Sequence, residues 1–154
     1  MKKPIMQILL ATAVVLGLSG AAVAGDENGC TSETVQGRYV FTARGFTIVA
    51  GVAQPKAIVE VIDFDGEGAV SVPSATVSLN GMILRFSPGA NGEYTVDDAC
   101  SGTIKFFDAL GTSFDIVASA RGNELWLIQN NPNTVFQGTA TRTVRARDHD
   151  HDRR

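Results

Sequence analysis

The segment Gly92-Glu93-Tyr94-Thr95-Val96-Asp97-Asp98-Ala99-Cys100-Ser101-Gly102-Thr103 constrains the fold more than any other stretch of the chain. It reads as a strand, a tight acidic corner carrying a cysteine, and a second strand. Runs of β-favouring residues joined by so short a corner are antiparallel neighbours. The rest of the chain from Gly37 onward repeats the theme, with short β segments closed by glycine, asparagine or proline and no stretch of helical period.

Arg38 to Ala43 is rich in strand-forming types, and Gly45 reads as its end. Ala57 to Phe64 follows, stopped by Asp65-Gly66-Glu67-Gly68, a hairpin signal. Ala69 to Leu79 and Met82 to Phe86 flank Asn80-Gly81, a turn pair whose two central residues both need positive φ. After Ser87-Pro88-Gly89 come Tyr94 to Val96, Thr103 to Phe107, Ser113 to Ala118, Glu124 to Gln129 and Val135 to Thr141. The spacing predicts an all-β domain, an eight-stranded (eight to nine) antiparallel meander β-barrel, over residues 37–142. Closure removes exposed sheet edges; an open sandwich is the alternative. Several strands, such as Ile58 to Phe64 and Leu125 to Ile128, are apolar on both faces. A packed or ligand-filled interior together with an outer face covered by another subunit, a homo-oligomer, would account for that.

At the front, Lys2 and Lys3 precede the apolar run Ile8 to Leu18, and Ala22-Val23-Ala24 supplies small residues before Gly25. This reads as a secretory signal peptide over residues 1–24, because the run is shorter than a spanning helix requires. A lipoprotein reading is opposed by Asp26 and Glu27, which separate the apolar run from Cys30. The leader removes two lysines and no acids, so 13 basic and 16 acidic residues become a net charge of −5 in the mature chain. A basic footprint for nucleic acid is therefore absent, and no later segment has the length and apolarity of a transmembrane span. The expected compartment is secreted or periplasmic.

Cys30 and Cys100 are the only cysteines, and in an exported chain an even pair reads as a disulfide. It would tie an N-terminal segment, residues 25–36, to the acidic corner. A loop of roughly 70 residues closed in this way stabilises by about 4 kcal/mol in the chain-entropy account. Thiol catalysis is correspondingly disfavoured.

Histidine occurs only at His149 and His151, in the charged tail of residues 143–154. A Ser-His-Asp triad or a core zinc site would have to recruit that tail, so no catalytic residue and no metal or other cofactor is assigned. The alternating Asp148-His149-Asp150-His151-Asp152 offers metal ligands, but its flanking arginines and lack of an apolar anchor fit a solvated disordered terminus. Among carboxylates Glu60 stands out, since Ile58, Ile62 and Phe64 share its face. A carboxyl in apolar surroundings has a raised pKa and serves as proton donor or ligand orienter; otherwise it faces solvent or a basic partner. Phe41, Phe106 and Trp126 are the aromatic candidates for lining a cavity, with plain core packing as the alternative.

Gly37-Arg38-Tyr39-Val40-Phe41, Phe64-Asp65-Gly66-Glu67-Gly68, Gly92 to Thr103, and Ile128-Gln129 followed by Gly138-Thr139-Ala140 together resemble a family of small secreted bacterial proteins. These are grouped with the allene oxide cyclase barrel-like fold. The resemblance runs from about Cys30 to Arg142 and implies an eight-stranded barrel with a cavity, in relatives often oligomeric. Cyclising enzymes on similar barrels confine a reactive hydrophobic substrate, but none of their catalytic motifs carries over residue by residue. The expected function is a binding or structural module holding a small hydrophobic ligand. The alternatives are an isomerase or cyclase acting by confinement with Glu60 as acid or base, and an envelope or matrix structural protein.

Overall fold

The computed structural model describes residues 29–144. A single 3₁₀ turn at Ser32–Val35 precedes nine strands: β1 (Gly37–Val49), β2 (Val52–Phe64), β3 (Ala69–Leu79), β4 (Met82–Phe86), β5 (Asn91–Val96), β6 (Ser101–Phe106), β7 (Ser113–Ala118), β8 (Glu124–Gln129) and β9 (Thr134–Val144). Eight of them close an antiparallel barrel in the cyclic order β1-β2-β3-β5-β6-β7-β8-β9, with the last strand returning to pair with the first. The ninth, β4, pairs with residues Ala75 to Leu79 of β3, while Ala69 to Ser71 of the same strand pair with β5. The expected closed meander is thus present, with one extra strand on its wall.

Turn chemistry explains the hairpins. Asp65 Oδ1 accepts the backbone N–H groups of Glu67, Gly68 and Ala69 at 2.7, 3.0 and 2.9 Å. Asn80 and Gly81 both have positive φ, 48° and 85°, as a two-residue hairpin demands. At the β5–β6 corner Asp97 Oδ1 accepts the Ser101 N–H at 2.8 Å, and Cys100 is left-handed at φ 62°. Asp98 contributes its backbone carbonyl, which accepts the Cys30 N–H at 3.2 Å. Cys30 and Cys100 form the expected disulfide, with Cα atoms 4.9 Å apart.

Several boundaries differ from the sequence reading. Gly45 does not end the first strand; β1 runs on to Val49, turns at Ala50-Gly51 and returns as β2 from Val52 rather than Ala57. Its glycine serves a close approach, because a Cβ there would sit 1.9 Å from the Val135 carbonyl oxygen of β9. Strand β6 begins at Ser101, and β9 continues to Val144, past the expected barrel limit at Arg142. The assigned leader and the Asp148 to Asp152 stretch lie outside the described residues.

Alternation places Tyr39 and Phe41 of β1, Ile62 and Phe64 of β2, Tyr94 of β5, Ile104 and Phe106 of β6, and Phe114 and Ile116 of β7 inside. Aromatic rings fill the axis edge to face: Tyr39 on Phe64 at 5.3 Å, Phe64 on Tyr94 at 4.9 Å, Phe41 on Phe114 at 5.7 Å and Phe114 on Phe106 at 6.3 Å. The lower part of the barrel is therefore a packed core.

Candidate functional site at the barrel mouth

Strand β2 carries the site. Its even-numbered side chains point inward, and going up the strand they are Phe64, Ile62, Glu60, Ile58 and Lys56. The first two are buried core. Glu60 retains 8 % of its surface, and above it Ile58 and Lys56 are half-buried where the barrel opens. Cross-strand registers extend this face into three rungs: Glu60–Ala75–Phe86, Ile58–Val77–Leu84 and Lys56–Leu79–Met82, running from β2 through β3 to β4. Apart from Glu60 and Lys56 every one of these side chains is apolar. Phe86 and Met82 are 46 % and 56 % exposed, so β3 and β4 form an apolar lip standing above an interior carboxyl.

Lys56 reaches across the mouth. Its Nζ donates to Gln129 Oε1 at 3.3 Å and lies 4.3 Å from the centre of the Phe136 ring. Gln129, itself buried, donates from Nε2 to Asn131 Oδ1 at 3.0 Å, and that oxygen also accepts the Ser113 N–H. Asp108 holds its own loop by accepting Thr112 N–H and Oγ1–H at 2.8 and 2.6 Å. Lys56 is thus a tethered cation rather than a freely swinging one.

Burial pushes the Glu60 carboxyl up to about 7, and the charge on Lys56 pulls in the opposite direction without offsetting it. Burial likewise lowers the Lys56 ammonium, opposed by the charges of Glu60 and Asp108. A carboxyl that titrates near neutrality, at the floor of an apolar opening, holds or releases a proton with little driving force either way. Among the described residues no group of three or more His, Cys, Asp or Glu side chains comes together that could hold a metal ion.

No family model, curated protein or solved structure matches the chain. The site therefore rests on its own geometry.

Of the residues singled out from the sequence, three converge. Phe41 lies directly opposite Glu60 in the β1–β2 register, and Phe106 joins them through Phe114. Trp126 does not join them. Its neighbours Leu125 and Leu127 take the inward positions of β8, so the indole stands on the outer face, 48 % exposed. There it borders an open groove of about 890 Å³ with Val117, Ile128, Arg44, Asp115 and Gln137. Lys56 and Gln129 are the site residues that sequence reasoning missed. The signal for Lys56 was available, because a period of two carries the inward face from Phe64 through Glu60 to Lys56. Gln129 had no such signal, since its role depends on which end of β8 reaches the mouth.

Among the described residues no helix is long and apolar enough to cross a membrane.

Proposed function

We propose that the protein is an exported β-barrel module that binds one small hydrophobic molecule at the barrel mouth, its apolar body on the β3–β4 lip and a polar end against Glu60 and Lys56. The observation that carries this reading is the pair of charged side chains on an otherwise apolar inward face of three adjoining strands. Apolar walls with a few convergent polar groups are the usual build of a small-molecule site. Export is supported by the signal-like leader together with the disulfide. The proposal extends to kinship with the secreted proteins of the allene oxide cyclase barrel-like group, supported by the closed meander and the turn glycines.

The test is native mass spectrometry of the purified protein after incubation with a lipid and metabolite extract, run beside Leu84→Asp. Wild type should retain a bound mass that the variant, with a charge on the lip, loses. Wild type that stays empty, or equal retention by both proteins, would count against the proposal.

A second reading has Glu60 act as acid or base on the confined molecule, and the favouring observation is a buried carboxyl poised near neutral pH. The ligand recovered in the first experiment is incubated with protein in heavy water. Deuterium should enter an acidic C–H position with wild type and not with Glu60→Gln; absence of exchange in both would remove the catalytic reading and leave binding intact.

A further inference from the structure

Closing a barrel satisfies the edges of its strands, and among the described strands all but one have at least two neighbours. That strand is β4, Met82-Ile83-Leu84-Arg85-Phe86, bonded to β3 on one side only. Which backbone groups face outward follows from the hairpin. A two-residue turn at Asn80-Gly81 is closed by a hydrogen-bonded pair, here Leu79 and Met82, and pairs of that kind alternate along the ladder. Met82, Leu84 and Phe86 therefore direct their N–H and C=O groups to β3. Those of Ile83 and Arg85 point away from the sheet.

Free edges of soluble proteins are usually blunted by proline, by several charges or by a covering segment. This one has Arg85 as its single charge, and Met82, Ile83 and Phe86 are each about half exposed. The sequence of the strand is also self-complementary. Set antiparallel to a second copy about a two-fold axis at Leu84, Ile83 opposes Arg85 of the other chain, Met82 opposes Phe86, and Leu84 opposes Leu84. Both outward-facing residues then form a hydrogen-bonded pair, giving four backbone hydrogen bonds for the dimer. The thioether of Met82 meets an aromatic ring, a favourable contact. Shifting the axis to Arg85 would set like charges opposite each other, which is destabilising, and shifting it to Ile83 would leave Phe86 without a counterpart.

We propose that the free edge of β4 pairs antiparallel with β4 of a second copy, centred on Leu84, so that the lips of two barrels join in one continuous sheet. Such an isologous interface closes on itself and stops at two copies.

Single cysteine substitutions read the register directly, because both native cysteines are already paired. Leu84 lies opposite itself in a non-hydrogen-bonded pair, where Cα atoms are about 4.5 Å apart and within disulfide reach. Leu84→Cys should oxidise to a covalent dimer, whereas Ile83→Cys and Arg85→Cys, each opposite a different residue, should not. Ile83→Pro removes only an outward donor, so it should weaken association by roughly tenfold or more in sedimentation equilibrium without changing the unfolding midpoint read at concentrations low enough for both proteins to be monomeric. Wild type that sediments as a monomer at every concentration, cross-linking that is equal at the three positions, or a dimer indifferent to Ile83→Pro would each overturn the proposal.

Discussion

The two ends of the barrel solve opposite problems. At the lower end the buried polar side chains are tied. Arg142 donates from Nε and Nη2 to the Tyr39 hydroxyl at 2.9 and 2.7 Å and from Nη2 to the Thr34 carbonyl at 2.5 Å, while that hydroxyl donates to the Gly122 carbonyl. The Tyr94 hydroxyl donates to the Ser32 carbonyl and accepts the Gly66 N–H, and the disulfide fastens the segment that carries the 3₁₀ turn. Val35 from that turn is fully buried and plugs the end. At the upper end a buried carboxyl and a half-buried ammonium lie without direct contact between them; among the described residues the ion pair in contact is Arg38–Asp63. The difference teaches where stability is stored and where it is given up. Glu60 and Lys56, whose charged forms burial disfavours, both lie at the end that opens.

That contrast can be broken from the closed end first. Replacing Cys30 and Cys100 by serine should lower the unfolding free energy by about 4 kcal/mol, read from urea titration, since the bond closes a separation of 70 residues. A loss below about 1 kcal/mol would mean that hydrogen bonds alone hold the segment in place.

From the open end the sign reverses. Glu60 is raised from its ordinary 4.5 to about 7, so between these values the folded protein keeps a proton that the unfolded chain has released. Stability is then greatest below pH 4.5 and falls as pH rises through 7. Glu60→Gln should be more stable than wild type by about 3 kcal/mol near pH 8, with the two converging near pH 4. Parallel stability curves for the two proteins would show that Glu60 is well solvated.

The smallest effect sharpens the closed end at single-atom scale. Tyr39→Phe removes one hydroxyl and leaves the Gly122 carbonyl and two Arg142 donors without it, for a loss of about 1–3 kcal/mol. Its unfolding free energy should track that of wild type across pH, because nothing at the mouth changes.

Much of this architecture was legible in the sequence. Ala69 to Leu79, Met82 to Phe86, Ser113 to Ala118 and Glu124 to Gln129 are strands with the bounds read from turn residues alone. Asp65-Gly66-Glu67-Gly68 and Asn80-Gly81 turn as their chemistry requires. Gly45 misled because a glycine that permits a close backbone approach looks the same in sequence as one that ends a strand. The facing of Trp126 was illegible for a different reason. In Leu125-Trp126-Leu127-Ile128 both faces are apolar, so alternation carries no mark of inside and outside until the strand has neighbours. The carboxyl of the site was legible from its inward companions; its setting beside Lys56, Gln129 and Phe136 needed the register of β2 and the far ends of β8 and β9.

The pairing of β9 with β1 bears on how this chain comes to be folded at all. Because the first and last strands are partners over Arg38 to Thr47, the ring stays open until its final residues are available. A chain emerging in order therefore presents the waiting edges of β1 and β8 throughout its synthesis. Contacts that span almost the whole sequence also form late and slowly. The order of emergence thus favours a chain that remains loose until β9 has been made and acquires its shape only when that strand closes the ring.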